Sequence, residues 1–223
     1  MKLVDYTNPS SFSSRLRKKR MFFFVNFIRQ IQKKLQGNII TVLDLGGTST
    51  YWKNFPFDDF KDINFHITLL NLEYPDYDSN ELASNVTLYR ETGNACDLAY
   101  RNRSFDIVHS NSVIEHVGSW ANIKAMANEI QRVGNNYFIQ TPNFWFPIEP
   151  HFIFPLYQFF PRPIRSFILM KINHHFSFEK SILEDERIRL LTKKEIKFLF
   201  SVANIKTEYF LVLAKSFIAH SAT

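Results

Sequence analysis

Apolar positions divide most of the chain into strands separated by helices or long connections. The first strand is Ile39 to Leu45, and the others are predicted within "HITLLNLE", "NVTLYR", "SFDIVHSNS" and "NYFIQT". Strands spaced in this way favour a parallel, doubly wound sheet. "KTEYFLVLA" and "KSFIAH" close the chain as two further strands. The pattern therefore predicts an α/β fold, with a mostly parallel seven-stranded sheet and an antiparallel C-terminal edge strand.

Three helices follow from apolar residues at helical spacing. Between residues 11 and 36 these residues are Leu16, Phe23, Phe24, Phe27, Ile28, Ile31 and Leu35. A second helix is predicted from Ser119, a candidate N-cap, to Val133. In the third, "LTKKEIKFLFSVA", Thr192 and Glu195 have the spacing of a capping box.

An aromatic and proline-rich segment interrupts this alternation. Six of the nine prolines lie between Pro142 and Pro163, interleaved with eight aromatic residues. This stretch is too aromatic for a solvated linker and too rich in proline for a regular helix or strand. It begins at the carboxyl end of the fifth strand, where open α/β sheets bind their ligands. We therefore expect a packed lid over residues 142–180.

Acids and glycines follow the first two strands. Gly46 and Gly47, next to Asp44, let the backbone turn tightly and approach a ligand closely. The order G-G-T-S-T departs from the G-x-G-x-x-G dinucleotide motif, so by itself it leaves a dehydrogenase equally open. Glu73 ends the second strand, where a carboxylate would accept two hydrogen bonds from a ribose hydroxyl pair.

Polar residues also follow the next two strands. The loop "GNACDL" could hold an adenine edge through a side-chain oxygen and a backbone N–H. Ser110, Asn111 and Ser112 end the fourth strand and are expected to face the same crevice. Four consecutive strand ends thus carry an acid with glycines, an acid, a polar loop and a polar tip.

This layout resembles the class I S-adenosylmethionine-dependent methyltransferases over about residues 39–141. The resemblance is closest to the type 11 small-molecule group, in which the fourth strand runs into a pattern like Ser110 to Val117. "TPNFWFPIEPH" is similar to a segment in a subgroup of bacterial methyltransferases of largely unassigned substrate. The resemblance implies a Rossmann-like fold, with S-adenosyl-L-methionine as cofactor and S-adenosyl-L-homocysteine as product.

The resemblance also implies a set of cofactor-binding residues. They are Asp44, Gly46, Gly47, Thr48, Glu73, Asn94, Ala95, Asp97, Ser110 and Asn111. Within this set the acid and glycines would line the methionine part, Glu73 the ribose, and the "GNACDL" loop the adenine. The commonest family pattern has Asp where Asn94 stands, but Asn still offers an acceptor oxygen.

Candidate catalytic residues are histidines, because a hydroxyl acceptor needs a general base whereas an amine needs only orientation. His151 lies in the predicted lid, and Glu149 two residues earlier would orient it. His116 follows the fourth strand at the cofactor crevice, and the pair at 174–175 is a weaker candidate. Histidines and carboxylates show no metal-ligand spacing, so we expect metal independence.

Candidate substrate-binding residues lie in the predicted lid. Trp145 and Tyr157 would stack on a planar or sugar acceptor, with Asn143 beside them. The same aromatic residues would also pack over the sheet without any ligand, and both roles can hold together.

Charge and cysteine content change this picture only slightly. The net charge of +6 favours an anionic contact such as a phosphorylated substrate, although a solvated basic surface also explains it. Cys96 is the only cysteine, which fits a reducing, cytoplasmic setting. "MFFFVNFI" is too short to span a bilayer, and no cleavage site follows it. We expect no signal peptide or transmembrane helix, and we rank contact with an anionic membrane surface lower.

We therefore predict one methyltransferase domain over residues 1–223, with a capping helix at 11–36 and the lid at 142–180. Its acceptor is predicted to be a small molecule, such as a secondary metabolite or sugar-bearing precursor, methylated on O or N. The alternatives are an RNA or protein acceptor, or a cofactor-binding protein without turnover. Nucleic acid is disfavoured because the length leaves no room for an appended binding module. The oligomeric state is left open.

Overall fold

The computed structural model describes residues 12–73, 82–149, 154–172 and 177–221, without the side chains of residues 12–17, 149, 178, 181, 184 and 185. Strands in these ranges are β1 (Ile39–Leu45), β2 (Asn64–Asn71), β3 (Val86–Thr92), β4 (Phe105–Asn111), β5 (Gly134–Pro142), β6 (Ile148–Glu149), β7 (Phe154–Pro155), β8 (Asn204–Phe210) and β9 (Leu213–His220). The two short strands β6 and β7 pair with each other, and the remaining seven form the main sheet.

The main sheet has the strand order β3-β2-β1-β4-β5-β9-β8. Strands β1 to β5 pair in parallel, and β9 runs antiparallel to both β5 and β8. The predicted Rossmann-like, mostly parallel seven-stranded sheet is confirmed, with β8 outermost beside the antiparallel C-terminal strand. The strand order reverses between β1 and β4. A reversal of this kind opens a ligand crevice at the carboxyl ends of the strands.

Helices in the described ranges are α1 (Phe12–Gln32), α2 (Ser49–Trp52), α3 (Trp120–Val133), α4 (Arg162–Ile172), α5 (Phe178–Glu186) and α6 (Lys193–Leu199). Two helix starts agree with the sequence analysis. The Ser119 side chain accepts a hydrogen bond from the Asn122 N–H, and Thr192 forms the predicted capping box with Glu195. Helix α1 ends four residues before the predicted boundary, because the following turn tightens to i→i−3 bonds.

Helices cover both faces of the sheet. Because successive side chains of β1 point to opposite faces, alternate residues of this strand pack against different helices. Ile40 and Val42 join the aromatic residues of α1 and α2 in one core cluster. Leu43 and Leu45 join α3 and α6 in the other. Asp44 therefore points to the face that α1 covers. No helix in the described part of the chain is long and apolar enough to cross a bilayer.

The proline-rich segment contains more regular structure than its sequence predicts. The strands β6 and β7 form a short antiparallel pair, and α4 begins at Arg162. The expectation that prolines exclude a helix here is wrong at the end of the segment. Pro163 occupies the first turn of α4, where a missing N–H costs no helical hydrogen bond. The lid role of residues 142–180 stays a prediction.

Candidate active site

Asp44 is an acid buried inside a ring of aromatic side chains. Only 1% of its surface is exposed. One carboxylate oxygen accepts from the Trp52 indole N–H at 2.8 Å, and the other meets His109 Nδ1 at 2.7 Å. Trp52 comes from α2, and His109 lies directly opposite Asp44 in the parallel β1–β4 pairing. The fold itself therefore supplies two partners for this buried charge.

His109 links Asp44 to a tyrosine. In the tautomer with the proton on Nδ1, His109 donates to the Asp44 carboxylate, and Nε2 accepts from the Tyr51 hydroxyl at 3.1 Å. Burial raises the pKa of Tyr51, as do the Asp44 and Glu208 carboxylates, whereas Arg20 lowers it. Tyr51 therefore stays protonated and remains a donor to the imidazole.

The glycine loop lies directly against this buried acid. Gly46 has a left-handed φ of 71°, which a residue with a side chain rarely adopts. A Cβ at Gly47 would overlap the Asp44 carboxylate. The loop is tied to β2 by two hydrogen bonds, from the Gly46 N–H to the Leu70 carbonyl and from Asn71 Nδ2 to the Gly47 carbonyl. This close, fixed approach of bare backbone fits a loop on which a cofactor would lie.

The tip of β4 is tied to the N-terminal helix. Arg20 of α1 donates to the Asn111 side-chain oxygen at 2.5 Å and forms a two-pronged ion pair with Glu208 of β8. Ser216 also donates to Glu208, and both members of the ion pair are about 90% buried. Ser112, which follows Asn111, has a left-handed φ of 57°. The helix thus fixes the strand end at which the crevice opens.

The predicted ribose and adenine residues lie at the ends of β2 and β3. Glu73 is exposed two residues beyond β2, and Thr48 is exposed at the start of α2. In the loop after β3, Asn94 accepts a hydrogen bond from the Cys96 N–H at 2.9 Å. Ala95 is half-buried against the α3-side core, and Asp97 is exposed. Ser110, by contrast, is fully buried and donates to the Leu45 carbonyl at 3.3 Å.

The predicted substrate residues differ in exposure. Trp145 is 64% exposed and contacts the ring of Phe159. Tyr157 is buried, and the Arg165 guanidinium lies 5.9 Å from its ring centre. Asn143 is buried, and its amide donates to the Ala214 carbonyl and accepts from the Trp145 N–H. Asn143 therefore joins the end of β5 to β9 and the lid.

The candidate general base and the acid predicted to orient it belong to the least described part of the lid. His151 lies outside them, as does the pair at 174–175, and Glu149 is described only through its backbone in β6. His116 ends a short 3-10 helix after β4 and is exposed. Its neighbour Glu115 is buried and accepts from Thr141 at 2.9 Å.

A cleft of about 470 Å³ opens beside the carboxyl ends of β4 and β5. We call it the lid cleft. Its walls come from the loop before α3, the predicted lid, α4 and the segment after α5. The described residues that line it are Gly118, Ser119, Phe144, Tyr157, Gln158, Arg162, Arg165, Glu186, Ile188, Arg189 and Leu190.

Sequence reasoning missed the partners of Asp44. His109 is one of seven histidines, and nothing near it in sequence marks it. The signal that could have found them is the register of the strand pair, because His109 on the apolar face of β4 lies opposite Asp44 of β1. Strand pairing, rather than a motif, would have found the pair.

Comparison with known proteins agrees with this architecture. Residues 63–136 match the type 11 family described as a methyltransferase domain. The matched region runs from β2 to the start of β5 and so includes the ends of three of the strands around the crevice. No curated protein sequence is significantly similar to this chain.

Several solved structures resemble this one at low sequence identity. A "possible exported protein" from Bordetella parapertussis is 13% identical, with 95% of this chain covering 70% of that one at a TM-score of 0.53. A protein from Pyrococcus horikoshii is 14% identical, with coverage of 96% and 93% and a TM-score of 0.49. A SAM-dependent methyltransferase from Methanosarcina mazei is 15% identical, with coverage of 85% and 94% and a TM-score of 0.47.

The family match and the strand order point to one conclusion. The matched region contributes β2, β3 and β4 to this sheet, and the Bordetella likeness extends the fold over almost the whole chain. Residues 63–136, a third of the chain, therefore match the type 11 methyltransferase-domain family within a Rossmann-like sheet.

Proposed function

We propose that this enzyme transfers the methyl group of S-adenosylmethionine to a small-molecule acceptor held in the lid cleft. The observation that carries the proposal is the cleft, whose 470 Å³ falls within the range of about 300–1,000 Å³ common for small-molecule sites. Ligands of open α/β sheets bind outside the carboxyl strand ends. An acceptor in the lid cleft would lie beside the cofactor crevice.

We assign the cofactor to the predicted residues at the ends of β1 to β4. Asp44, the glycine loop and Thr48 would hold the methionine part, and Glu73 the ribose. The loop containing Asn94, Ala95 and Asp97 would hold the adenine, with Ser110 and Asn111 closing the crevice at β4. Bound there, the cofactor supplies an already activated methyl group. The chain has then to align the acceptor and free its lone pair.

The proton-accepting group stays a proposal. His151 oriented by Glu149 is our candidate base for a hydroxyl acceptor, with His116 on the cofactor side. An amine acceptor would need neither, since orientation alone exposes its lone pair.

Tritiated S-adenosylmethionine tests the acceptor class. We expect the purified enzyme to transfer label to compounds of a cell extract below about 1 kDa, separated from unreacted cofactor by chromatography, because the proposed site accommodates a small molecule. Label confined to the RNA or protein fraction would overturn the proposal. The absence of S-adenosylhomocysteine release, despite measurable cofactor binding, would instead indicate a binding protein without turnover.

Glu73→Ala tests the cofactor assignment. Hydrogen bonds to a charged group are each worth about 1.5–3 kcal/mol, so affinity for S-adenosylmethionine should fall at least tenfold. Asp58→Ala is the matched control, since Asp58 is another exposed acid, in the 3-10 helix Phe57–Phe60. Equal affinities for the two variants, measured by calorimetric titration, would place the ribose elsewhere.

Trp145→Ala tests the predicted stacking residue, which does not line the lid cleft itself but contacts the ring of Phe144 in its wall. We expect KM for the labelled fraction to rise by about threefold to tenfold, the effect of losing one aromatic contact, with kcat less affected. Phe22→Ala controls for removal of an exposed aromatic ring, because Phe22 is 66% exposed and Trp145 64%. An unchanged KM would remove Trp145 from the acceptor site.

A further inference from the structure

The turn between β8 and β9 exposes a run of apolar side chains. Leu211 and Val212 form this two-residue turn and are 83% and 87% exposed, and Leu213 at the start of β9 is 43% exposed. We call these three residues the hairpin tip. Tyr209, two residues before the turn, is also 56% exposed. A single exposed leucine needs no explanation, but a contiguous exposed apolar group commonly marks a binding surface.

The hairpin tip departs from ordinary turn chemistry. Two-residue hairpin turns favour glycine, asparagine or aspartate, because one or both residues adopt a positive φ. Leu211 has a φ of 52°, which is strained for leucine and relaxed for glycine or asparagine. Because Leu211 and Val212 are almost fully exposed, neither side chain repays this strain by packing in the core. Folding gives no reason for apolar residues at this turn, whereas a contact outside the chain does.

The hairpin tip and the start of α1 lie at one edge of the sheet. Strand β8 runs antiparallel to β9, as β5 does, so the tip lies at the edge where the parallel strands have their carboxyl ends. Arg20 contacts Asn111 at the end of β4 and Glu208 near the end of β8. Phe27, two turns later, packs further back on β5. Residues 12–19 therefore continue α1 from Arg20 towards this edge, over about 12 Å at 1.5 Å per residue.

The start of α1 is strongly basic. Residues 12–19 contain four basic residues and no acid, and the basic residues are Arg15, Arg17, Lys18 and Lys19. Lys18 and Lys19 are exposed. The neighbouring acid Glu208 is already paired with Arg20 at 2.8 Å, so it does not offset this charge. A run of positive charge therefore lies beside the hairpin tip.

We propose that the hairpin tip and the basic start of α1 dock this protein on an anionic membrane surface. The tip would insert among the lipids while the basic residues lie near the headgroups. The strength of such interfacial contacts grows with the apolar area that is inserted and with attraction to anionic lipid, and this edge of the protein offers both. The inference goes beyond the proposed methyl transfer and does not depend on it.

Cosedimentation of the full chain with lipid vesicles tests the docking. We expect binding to phosphatidylcholine vesicles that contain about 30% phosphatidylglycerol, and little binding to phosphatidylcholine alone. Binding should weaken as salt is raised, because salt screens the exposed lysines. Equal binding to both kinds of vesicle, or binding to neither, would overturn the inference.

Lys18→Gln combined with Lys19→Gln tests the charge. Each basic residue near an anionic surface raises the affinity several-fold, so this double variant should bind the anionic vesicles at least tenfold more weakly. Lys33→Gln combined with Lys34→Gln is the matched control, because these lysines are also exposed and lie in the turn after α1, at its far end. An equal loss in the two double variants would contradict a defined docking surface.

Val212→Ser tests the apolar part of the surface. Losing the transfer of one valine side chain into lipid should weaken binding by about fivefold to tenfold. Val202→Ser is the matched control, because Val202 is 77% exposed and lies before β8, at the opposite end of that strand. Leu211→Asn should weaken binding at least as much, and asparagine suits the left-handed φ, so this variant keeps the fold.

Two outcomes would assign the surface to another partner. If the lysine variant loses binding while Val212→Ser and Leu211→Asn bind like the parent, the start of α1 is a general anion surface, such as RNA would use, and membrane insertion is wrong. If vesicles do not bind and the hairpin variants instead abolish self-association in analytical ultracentrifugation, a second copy of the chain covers the tip. Either result would overturn the inference.

Discussion

Replacing Asp44 tests the buried network at its centre. Asp44→Ala removes the acceptor for two buried donors, the Trp52 indole N–H and His109 Nδ1. Each donor left unsatisfied costs about 1–3 kcal/mol, so we expect a loss of about 2–5 kcal/mol in the free energy of unfolding. The loss should be near the lower end if His109 moves its proton to Nε2, because Nδ1 is then no longer an unsatisfied donor.

Asp44→Asn should be much milder for a structural reason. Its amide oxygen can still accept from Trp52, and its NH₂ can donate to His109 once the imidazole carries its proton on Nε2. Nε2 then donates to the Tyr51 oxygen, so all three hydrogen bonds survive with two of them reversed. Only the charge assistance is lost, which we place at about 1–2 kcal/mol.

Urea unfolding gives the stability of both variants, and ¹⁵N NMR of the imidazole gives the tautomer. We expect the proton on Nδ1 in the parent and on Nε2 in Asp44→Asn. Equal destabilisation by Asn and Ala would refute the tautomer argument and indicate that the site needs the negative charge itself. Stabilities unchanged in both variants would refute the network.

Three further outcomes follow from neighbouring contacts. Gly47→Ala should lower the unfolding free energy by about 2–4 kcal/mol in urea titrations, because the new methyl group overlaps the buried Asp44 carboxylate. Arg20→Met should cost about 3–5 kcal/mol by stranding the Glu208 carboxylate, and adding Glu208→Gln should recover part of this loss; an unimproved double variant would contradict it. Burial raises the pKa of the Cys96 thiol, so its alkylation by iodoacetamide, followed against pH, should have a midpoint above that of an unhindered thiol peptide.

The sheet and its flanking helices could be predicted because the residues that mark each element lie close together in the sequence. Apolar runs such as Ile39–Leu45 have the observed bounds, and caps such as Ser119 and Thr192 mark helix starts through hydrogen bonds within three residues. The match is poorer where tertiary packing overrides local pattern. Pro163 reads as a helix breaker, yet the first turn of a helix accepts it.

The candidate site could be predicted only in part, because its polar partners lie far apart in the sequence. Asp44 and His109 are separated by 65 residues, and Arg20 and Glu208 by 188. No spacing rule links such pairs, since only the register of β1 against β4 and the position of α1 bring them together. The lid cleft is similar, because its walls come together only when α4 and the segment after α5 meet.

The internal partners of Asp44 change what a cofactor would gain from it. A carboxylate offers about four lone-pair positions, and Trp52 and His109 occupy two of them. The fold therefore meets part of the cost of burying this charge before any ligand arrives, and it also holds the carboxylate still. A cationic amino group of a cofactor would then meet an acceptor already oriented, so little ordering would accompany binding. Arg20, which is paired with Glu208, likewise holds the Asn111 side chain in place at the tip of β4. Under the assignment proposed here, both ends of the methionine-binding crevice are preorganised by side chains outside the cofactor-binding set.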